Sequence, residues 1–311
     1  MKIAKALVTG GAGFIGSHTV DRLLARGIEV IVLDDLSTGK RANVPPGARF
    51  VEGDVCDVNL LTELSAEVDV VFHLAARVSV RNSVPQFYED ARVNIFGTVT
   101  ALQAISKAKR VKKLVYASSM AVYGEGGDAP ISEEHPLEPV SPYGIGKLAS
   151  EKYCLQIGRL CGFDVVVLRY FNTYGPRQTF TPYVGVMTIF IGRVLSGKAP
   201  IIFGSGDQVR DFVSVDDVAE ANLLAMDSAA GSGIYNVGSG RGMSINELAR
   251  MILRALGSDL RSEYAPQQPG ELQRSVADIS RATRLLGYRP CARLEEKVQT
   301  VIDWWKDQPH V

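Results

Sequence analysis

Tyr143 and Lys147 stand four residues apart in Ser-Pro-Tyr-Gly-Ile-Gly-Lys, a spacing that sets both side chains on one face of a helix. A free phenol titrates near 10, about three units too high for a base at neutral pH, and a fixed ammonium within reach stabilises the phenolate. The pair reads as a tuned tyrosine base; the plain alternative is a packed ring beside a solvated charge. Its company matters. Thr9-Gly10-Gly11-Ala12-Gly13-Phe14-Ile15-Gly16 lies between an apolar run and a helical pattern. Glycines there let the backbone approach a pyrophosphate, whose charge then sits on a helix N-terminus. The glycines fall at Gly10, Gly13 and Gly16, and the alternative is a tight strand-to-helix turn.

Asp34 closes the next apolar run. A carboxylate at that place accepts hydrogen bonds from the hydroxyls of an adenosine ribose and repels a 2'-phosphate. Asp34-Asp35 has no adjacent arginine, which favours NAD over NADP, although Lys40 and Arg41 are close in the chain. Asp54 and Val55 follow a third run, where adenine would lie; Asp54 serves equally as a cap.

The elements that must position these groups are legible as alternation. Val- and Ile-rich runs at Ile3 to Val8, Glu29 to Asp34, Arg49 to Glu52, Asp69 to His73, Lys113 to Ser118 and Asp164 to Tyr170 are separated by helical patterns. One is Phe14 to Arg26, stopped by Gly27. This is the signature of a parallel sheet covered on both faces. It predicts an α/β fold, a doubly wound Rossmann-like sheet over residues 1–171. A smaller mixed α/β substrate domain is expected over 172–311, opened by the Gly/Pro/Thr-rich stretch Asn172 to Gly185. Runs near 210–213 and 234–237 are expected to return to the first domain. Leu294 to Lys306, with Trp304 and Trp305, predicts an amphipathic helix with its aromatics in the core.

The 311 residues carry 34 basic and 34 acidic side chains, so no global field draws the chain to nucleic acid or an anionic membrane. No apolar run reaches the roughly 18 residues of a membrane span, and the first one breaks too early for a signal peptide. A cytoplasmic protein with a small-molecule partner is expected. Cys56, Cys154, Cys161 and Cys291 are scattered, as are the four histidines. That predicts buried structural thiols and no metal.

In order along the chain, Thr-Gly-Gly-Ala-Gly-Phe-Ile-Gly, His73-Leu-Ala-Ala76, Asn94, Ser118-Ser119, Tyr143-x-x-x-Lys147 and Arg169-Tyr-Phe-Asn172 resemble the extended short-chain dehydrogenases/reductases. Among these the chain looks most like the nucleotide-sugar 4-epimerases of the UDP-glucose type. The resemblance implies NAD bound by Gly10, Gly13, Phe14, Ile15, Gly16, Asp34, Asp35, Ser37, Asp54, Val55, Leu74, Ala75, Ala76, Asn94, Ser118, Tyr143, Lys147 and Tyr170. It implies Ser119 beside the sugar 4-hydroxyl, Tyr143 as base and Lys147 on the nicotinamide ribose, with Asn94 supporting the backbone of the site. For the UDP-sugar it implies Asn172, Val186, Phe203, Arg210, Glu271 and Ser275. It also implies a homodimer, pairing helices Val84 to Lys107 and Pro142 to Cys161 across a two-fold axis.

The implied reaction is C4 epimerisation of a UDP-hexose through a transient 4-keto sugar and bound NADH. A 4,6-dehydratase needs further acids, and relatives of that kind carry an acidic pair after the catalytic Ser or Thr; here Met120 and Ala121 follow Ser119. Where the family commonly has a phosphate-binding arginine this chain has Gln268, and Arg274 is a candidate substitute. A small Ser275 leaves room for an N-acetyl group, and Arg177 could meet a uronate carboxylate, which keeps UDP-glucuronate in view. An NAD-binding regulatory protein is the non-enzyme alternative.

Overall fold

β-Branched runs bounded by glycines and aspartates form the strands. The computed structural model describes residues 3–179, 185–267 and 272–308. Its strands are β1 (Lys5–Thr9), β2 (Glu29–Asp34), β3 (Arg49–Glu52), β4 (Val70–His73), β5 (Lys113–Ser119), β6 (Asp164–Tyr170), β7 (Asn172–Tyr174), β8 (Ile201–Phe203), β9 (Val209–Ser214), β10 (Gly233–Val237), β11 (Gly242–Ser244), β12 (Glu263–Ala265) and β13 (Arg274–Ser275).

Seven of them form one sheet in the order β10-β6-β5-β4-β1-β2-β3, parallel at every pairing. The order reverses between β1 and β4, and ligands of such sheets bind at the carboxyl ends of the strands beside that switch. Burial on both faces explains the unbroken apolar runs. Val8, Val32, Phe72 and Val166 enter one core with the helices Phe14–Ala25 and Val215–Asp227. Leu7, Ile31, Val71 and Val167 enter the other, with Val58–Ala66, Thr98–Lys107 and Pro142–Cys161.

The predicted return of two later runs holds for one of them. β10 extends the main sheet beside β6, whereas β9 heads a separate sheet with β7, β11 and β13. The reason is register: β9 pairs Arg210 with Met243 and with Ser275, and its Phe212 joins a third core with Phe190, Ile191, Leu248, Val298 and Trp305. The helix predicted over 84–107 runs instead as Phe87–Ala91, a π segment Arg92–Gly97 and Thr98–Lys107. Leu294–Lys306 is the predicted helix, with Trp305 buried and Trp304 half-buried. The thiols divide: Cys154 is buried, Cys56 half-buried, and Cys161 and Cys291 exposed. Among the described residues no helix is long and apolar enough to cross a membrane.

Candidate active site

Gly10 turns the chain out of β1 at φ +69°, a left-handed conformation that glycine adopts without strain. A Cβ there would lie 2.7 Å from the Ala75 amide nitrogen, and one on Gly16 would lie 2.1 Å from the Gly10 carbonyl oxygen. The helix beginning at Phe14 has no side-chain cap, so the amides of its first turn are open to an anion. This cradle fits a dinucleotide pyrophosphate, with Leu74, Ala75 and Ala76 half-buried alongside.

Asp34, at the end of β2, is 6 % exposed. One carboxylate oxygen accepts from Ala12 N at 2.9 Å and the other from Leu36 N at 2.9 Å. The second bond closes an Asx turn that holds Leu36 at φ +57°, a conformation unusual for a side chain of its size. Burial pushes the Asp34 carboxyl up, against these amides. Asp35 is exposed and accepts from the Ser37 amide and hydroxyl. Asp54 accepts from Cys56 N at 2.9 Å, closing a turn, and pairs with Arg92 at 2.9 Å. Val55 packs into the core.

His73 is fully buried. Thr98 Oγ1 donates to Asn94 O at 2.8 Å, so it accepts from His73 Nε2, 3.1 Å away. Nδ1 then accepts from Thr9 Oγ1 at 2.9 Å. Burial, with Lys147 nearby, pushes the imidazole down to about 3, which keeps it neutral in this relay. Asn94 sits in the π segment, whose wider turn aims its amide at Arg77. Its Oδ1 accepts from Arg77 N and its Nδ2 donates to Arg77 O, both at 3.0 Å.

At the carboxyl end of β5 stand Ser118 and Ser119. Tyr143 and Lys147 lie opposite on Pro142–Cys161, which begins with Ser141 capping Gly144 N and proline in its first turn, a strong start signal. Gly144 is obligatory, since a Cβ there would fall 2.2 Å from the Ala121 carbonyl oxygen. The structure thus brings Ser119, Tyr143 and Lys147 together. The tuning departs from the spacing argument. Lys147 Nζ donates to Ala117 O at 2.8 Å and lies 6.0 Å from the Tyr143 ring centroid. Burial raises the Tyr143 phenol to about 12, with the Ser119 hydrogen bond opposing and Asp90 adding to the rise. Burial lowers Lys147 to about 8, partly offset by Asp90.

Tyr170 is buried at the end of β6, and its hydroxyl donates to Asn222 Oδ1 at 2.6 Å. Asn172, Arg210 and Ser275 share one face of the small sheet by register and by strand alternation. Asn172 Nδ2 donates to Asp211 O at 3.2 Å. Ser275 is wholly buried, its hydroxyl without a described partner. Arg274 falls on the opposite face from Arg210, so the register separates it from that arginine. Arg177 is paired with Asp21 at 2.7 Å. Val186 opens a helix half-buried, and Phe203 ends β8 with the Arg81 guanidinium 5.4 Å over its ring. Glu271 and Gln268 lie outside the described residues.

Sequence reasoning passed over Asp90 and Glu151. Asp90 is 2 % exposed, with one oxygen unbonded. Glu151 repeats the four-residue spacing after Lys147, the signal that could have found it.

The model of the NAD dependent epimerase/dehydratase family matches residues 6–238. A putative UDP-glucose 4-epimerase of Methanocaldococcus jannaschii is 43% identical over 303 residues, 97% of this chain and 98% of that protein. The UDP-glucose 4-epimerase of Thermotoga maritima, solved with UDP-glucose, superposes with TM-score 0.93 at 40% identity, covering 97% of this chain and 98% of that one. A UDP-N-acetylglucosamine 4-epimerase of Methanobrevibacter ruminantium, solved with UDP-N-acetylmuramic acid, gives TM-score 0.94 at 36% identity, covering 99% and 100%.

Proposed function

The chain belongs to the NAD-dependent epimerase/dehydratase family, and on that premise we propose that it interconverts UDP-glucose and UDP-galactose by inverting C4. One observation carries the reading. Ser119 and Tyr143 meet beside Lys147, and the turn that follows Ser119, Met120–Val122, holds no carboxyl group. Proton abstraction from one hydroxyl is provided for, and elimination at a neighbouring carbon is not.

NAD, when bound, supplies a hydride acceptor for C4 and a positive ring whose charge favours a nearby phenolate. Gly10, Gly13 and the first-turn amides of Phe14 and Ile15 would hold its pyrophosphate, and Asp34 its adenosine ribose. Tyr143 takes the proton of the sugar 4-hydroxyl and later returns it. Ser119 holds that oxygen and the phenol in one line. Lys147, kept in place by the Ala117 carbonyl, stabilises the phenolate through space. A planar keto carbon has lost its configuration, so a sugar that turns over between the two transfers emerges inverted. Arg210 and Asn172 take the diphosphate, with a planar guanidinium matched to phosphate oxygens.

Ser275 in place of a bulky side chain supports acceptance of UDP-N-acetylhexosamines as well. Exposed Phe96 on one helix, with Ile145, Tyr153 and Leu160 along one stripe of Pro142–Cys161, supports a homodimer built on these two helices. The deciding experiment incubates purified protein with UDP-glucose, UDP-galactose, UDP-N-acetylglucosamine and UDP-glucuronate, without added cofactor, and follows C4 configuration by NMR. Inversion of the neutral hexoses supports the reading, and unchanged hexoses overturn it. An inert acetylated sugar beside active UDP-galactose removes only the wider specificity.

A further inference from the structure

Behind Ser119 and Lys147 lies a polar chain that the proton transfer does not use. Glu151 and Arg169 are 0 % and 1 % exposed. They pair through two bonds, Arg169 Nε to Oε1 at 2.9 Å and Nη2 to Oε2 at 2.6 Å. Ser118 Oγ donates to the same Oε1. Three consecutive residues of β5 are thereby tied to one face of one helix: Ala117 to Lys147, Ser118 to Glu151 and Ser119 to Tyr143.

The chain continues away from that helix. Arg169 Nη1 donates to Tyr123 Oη at 2.8 Å, and Tyr123 donates to Asn236 Oδ1 at 2.7 Å. Asn236 Nδ2 donates to Ile131 O at 2.8 Å and to Asp278 O at 3.2 Å. Ile131 is bridged to Ala277, two residues past Ser275. These hydrogen bonds, joined through the backbone of β5, therefore link Tyr143 and Lys147 to the segment just past Ser275.

A buried ion pair is weak evidence for stability, because apolar side chains of similar volume often hold a core as well or better. What apolar contact lacks is direction: a bidentate guanidinium–carboxylate pair fixes both partners in one orientation. We propose that Glu151 and Arg169 are positioning residues for the epimerisation, locking Ser119 against Tyr143 through Ser118 and holding the Ser275 strand in register with that pair through Tyr123 and Asn236. The inference rests on the epimerase reading above. Proton transfer needs close alignment, and a displacement of about 1 Å costs on the order of a hundredfold in rate.

The test compares three full-length variants with wild type: Ser118→Ala, the double variant Glu151→Met with Arg169→Met, and Tyr123→Phe. Melting temperature and bound NAD content are read beside kcat and KM. The first two should lose about 10- to 100-fold in kcat with KM within about threefold. Tyr123→Phe, which cuts only the limb toward Ser275, should raise KM about 3- to 10-fold with kcat nearly held. A folded Ser118→Ala or double variant that keeps kcat within twofold overturns the locking of Ser119, and a Tyr123→Phe with unchanged KM overturns the limb toward Ser275. Should the double variant fail to fold, Ser118→Ala decides alone, since it removes one hydroxyl and leaves the ion pair in place. A wild type that inverts no UDP-hexose overturns the epimerase reading and the positioning role together. An active wild type with unaffected variants overturns the positioning role by itself.

Discussion

Lys147 holds its ammonium 6.0 Å from the centre of the Tyr143 ring and bonds it to the Ala117 carbonyl, not to the phenol. Without a bound ligand, burial dominates both groups and drives their titrations apart, the phenol up and the ammonium down. A base of this kind is assembled only when positive charge is added beside it.

Tyr143→Phe keeps the ring and removes the acid. Turnover of UDP-galactose should fall by about 10²- to 10⁴-fold, with melting temperature and NAD content unchanged. Full turnover would remove Tyr143 as the base.

Lys147 is lowered to about 8 by burial from an ordinary 10.5. Between those values the unfolded chain binds the proton and the folded chain does not, so stability rises with pH across that window. Below pH 8 both states are charged and the penalty, up to about 3 kcal/mol, is present in full. Cofactor-free Lys147→Met should therefore be more stable than cofactor-free wild type at pH 7, by less at pH 10, and inactive. Urea titrations at the two pH values check it; a variant less stable at pH 7 contradicts the sign.

Asp34 closes the turn at Leu36 and is the carboxylate proposed for the adenosine ribose. Protein denatured after purification should release NAD and not NADP, and Asp34→Ala should retain at least tenfold less of it, since a charged acceptor is worth about 1.5–3 kcal/mol. Enzymatic cycling of the released nucleotide distinguishes the outcomes. Released NADP would refute the role given to this carboxylate.

Asp211 is wholly buried and accepts from Ser239 N, Ser239 Oγ, Gly240 N and Ala277 N at 2.6–3.1 Å. It clasps the segment after Ser275 to the strand of Arg210. Asp211→Asn turns an NH₂ group toward N–H donors, at a cost of about 1–3 kcal/mol. A lower melting temperature with a raised KM for UDP-galactose is the outcome to measure; a KM unchanged in a destabilised protein would confine Asp211 to folding.

Leu160 and Tyr153 are 67 % and 49 % exposed on the same helix. Wild type should sediment as a dimer, and Tyr153→Glu with Leu160→Glu as a monomer, because a buried unpaired charge is not tolerated. A monomeric wild type in sedimentation velocity disposes of the pairing.

The sequence by itself determined the parallel sheet, the glycine cradle and the helix Pro142–Cys161, because each rests on local chemistry: β-branched runs buried on two faces, missing Cβ atoms, and a Ser-Pro start. It determined that Tyr143 and Lys147 share a face, and Glu151 was equally legible in the same spacing. Tertiary structure alone decided that β9 leaves the main sheet, since nothing in Arg210 to Val213 says which edge it will pair with. It alone decided that Asp54 is bound by Arg92 and Tyr170 by Asn222, partners 38 and 52 residues distant. The state of the opening pair was also beyond the sequence: spacing brings a phenol and an ammonium to one face, but the depth of burial decides which way each titrates.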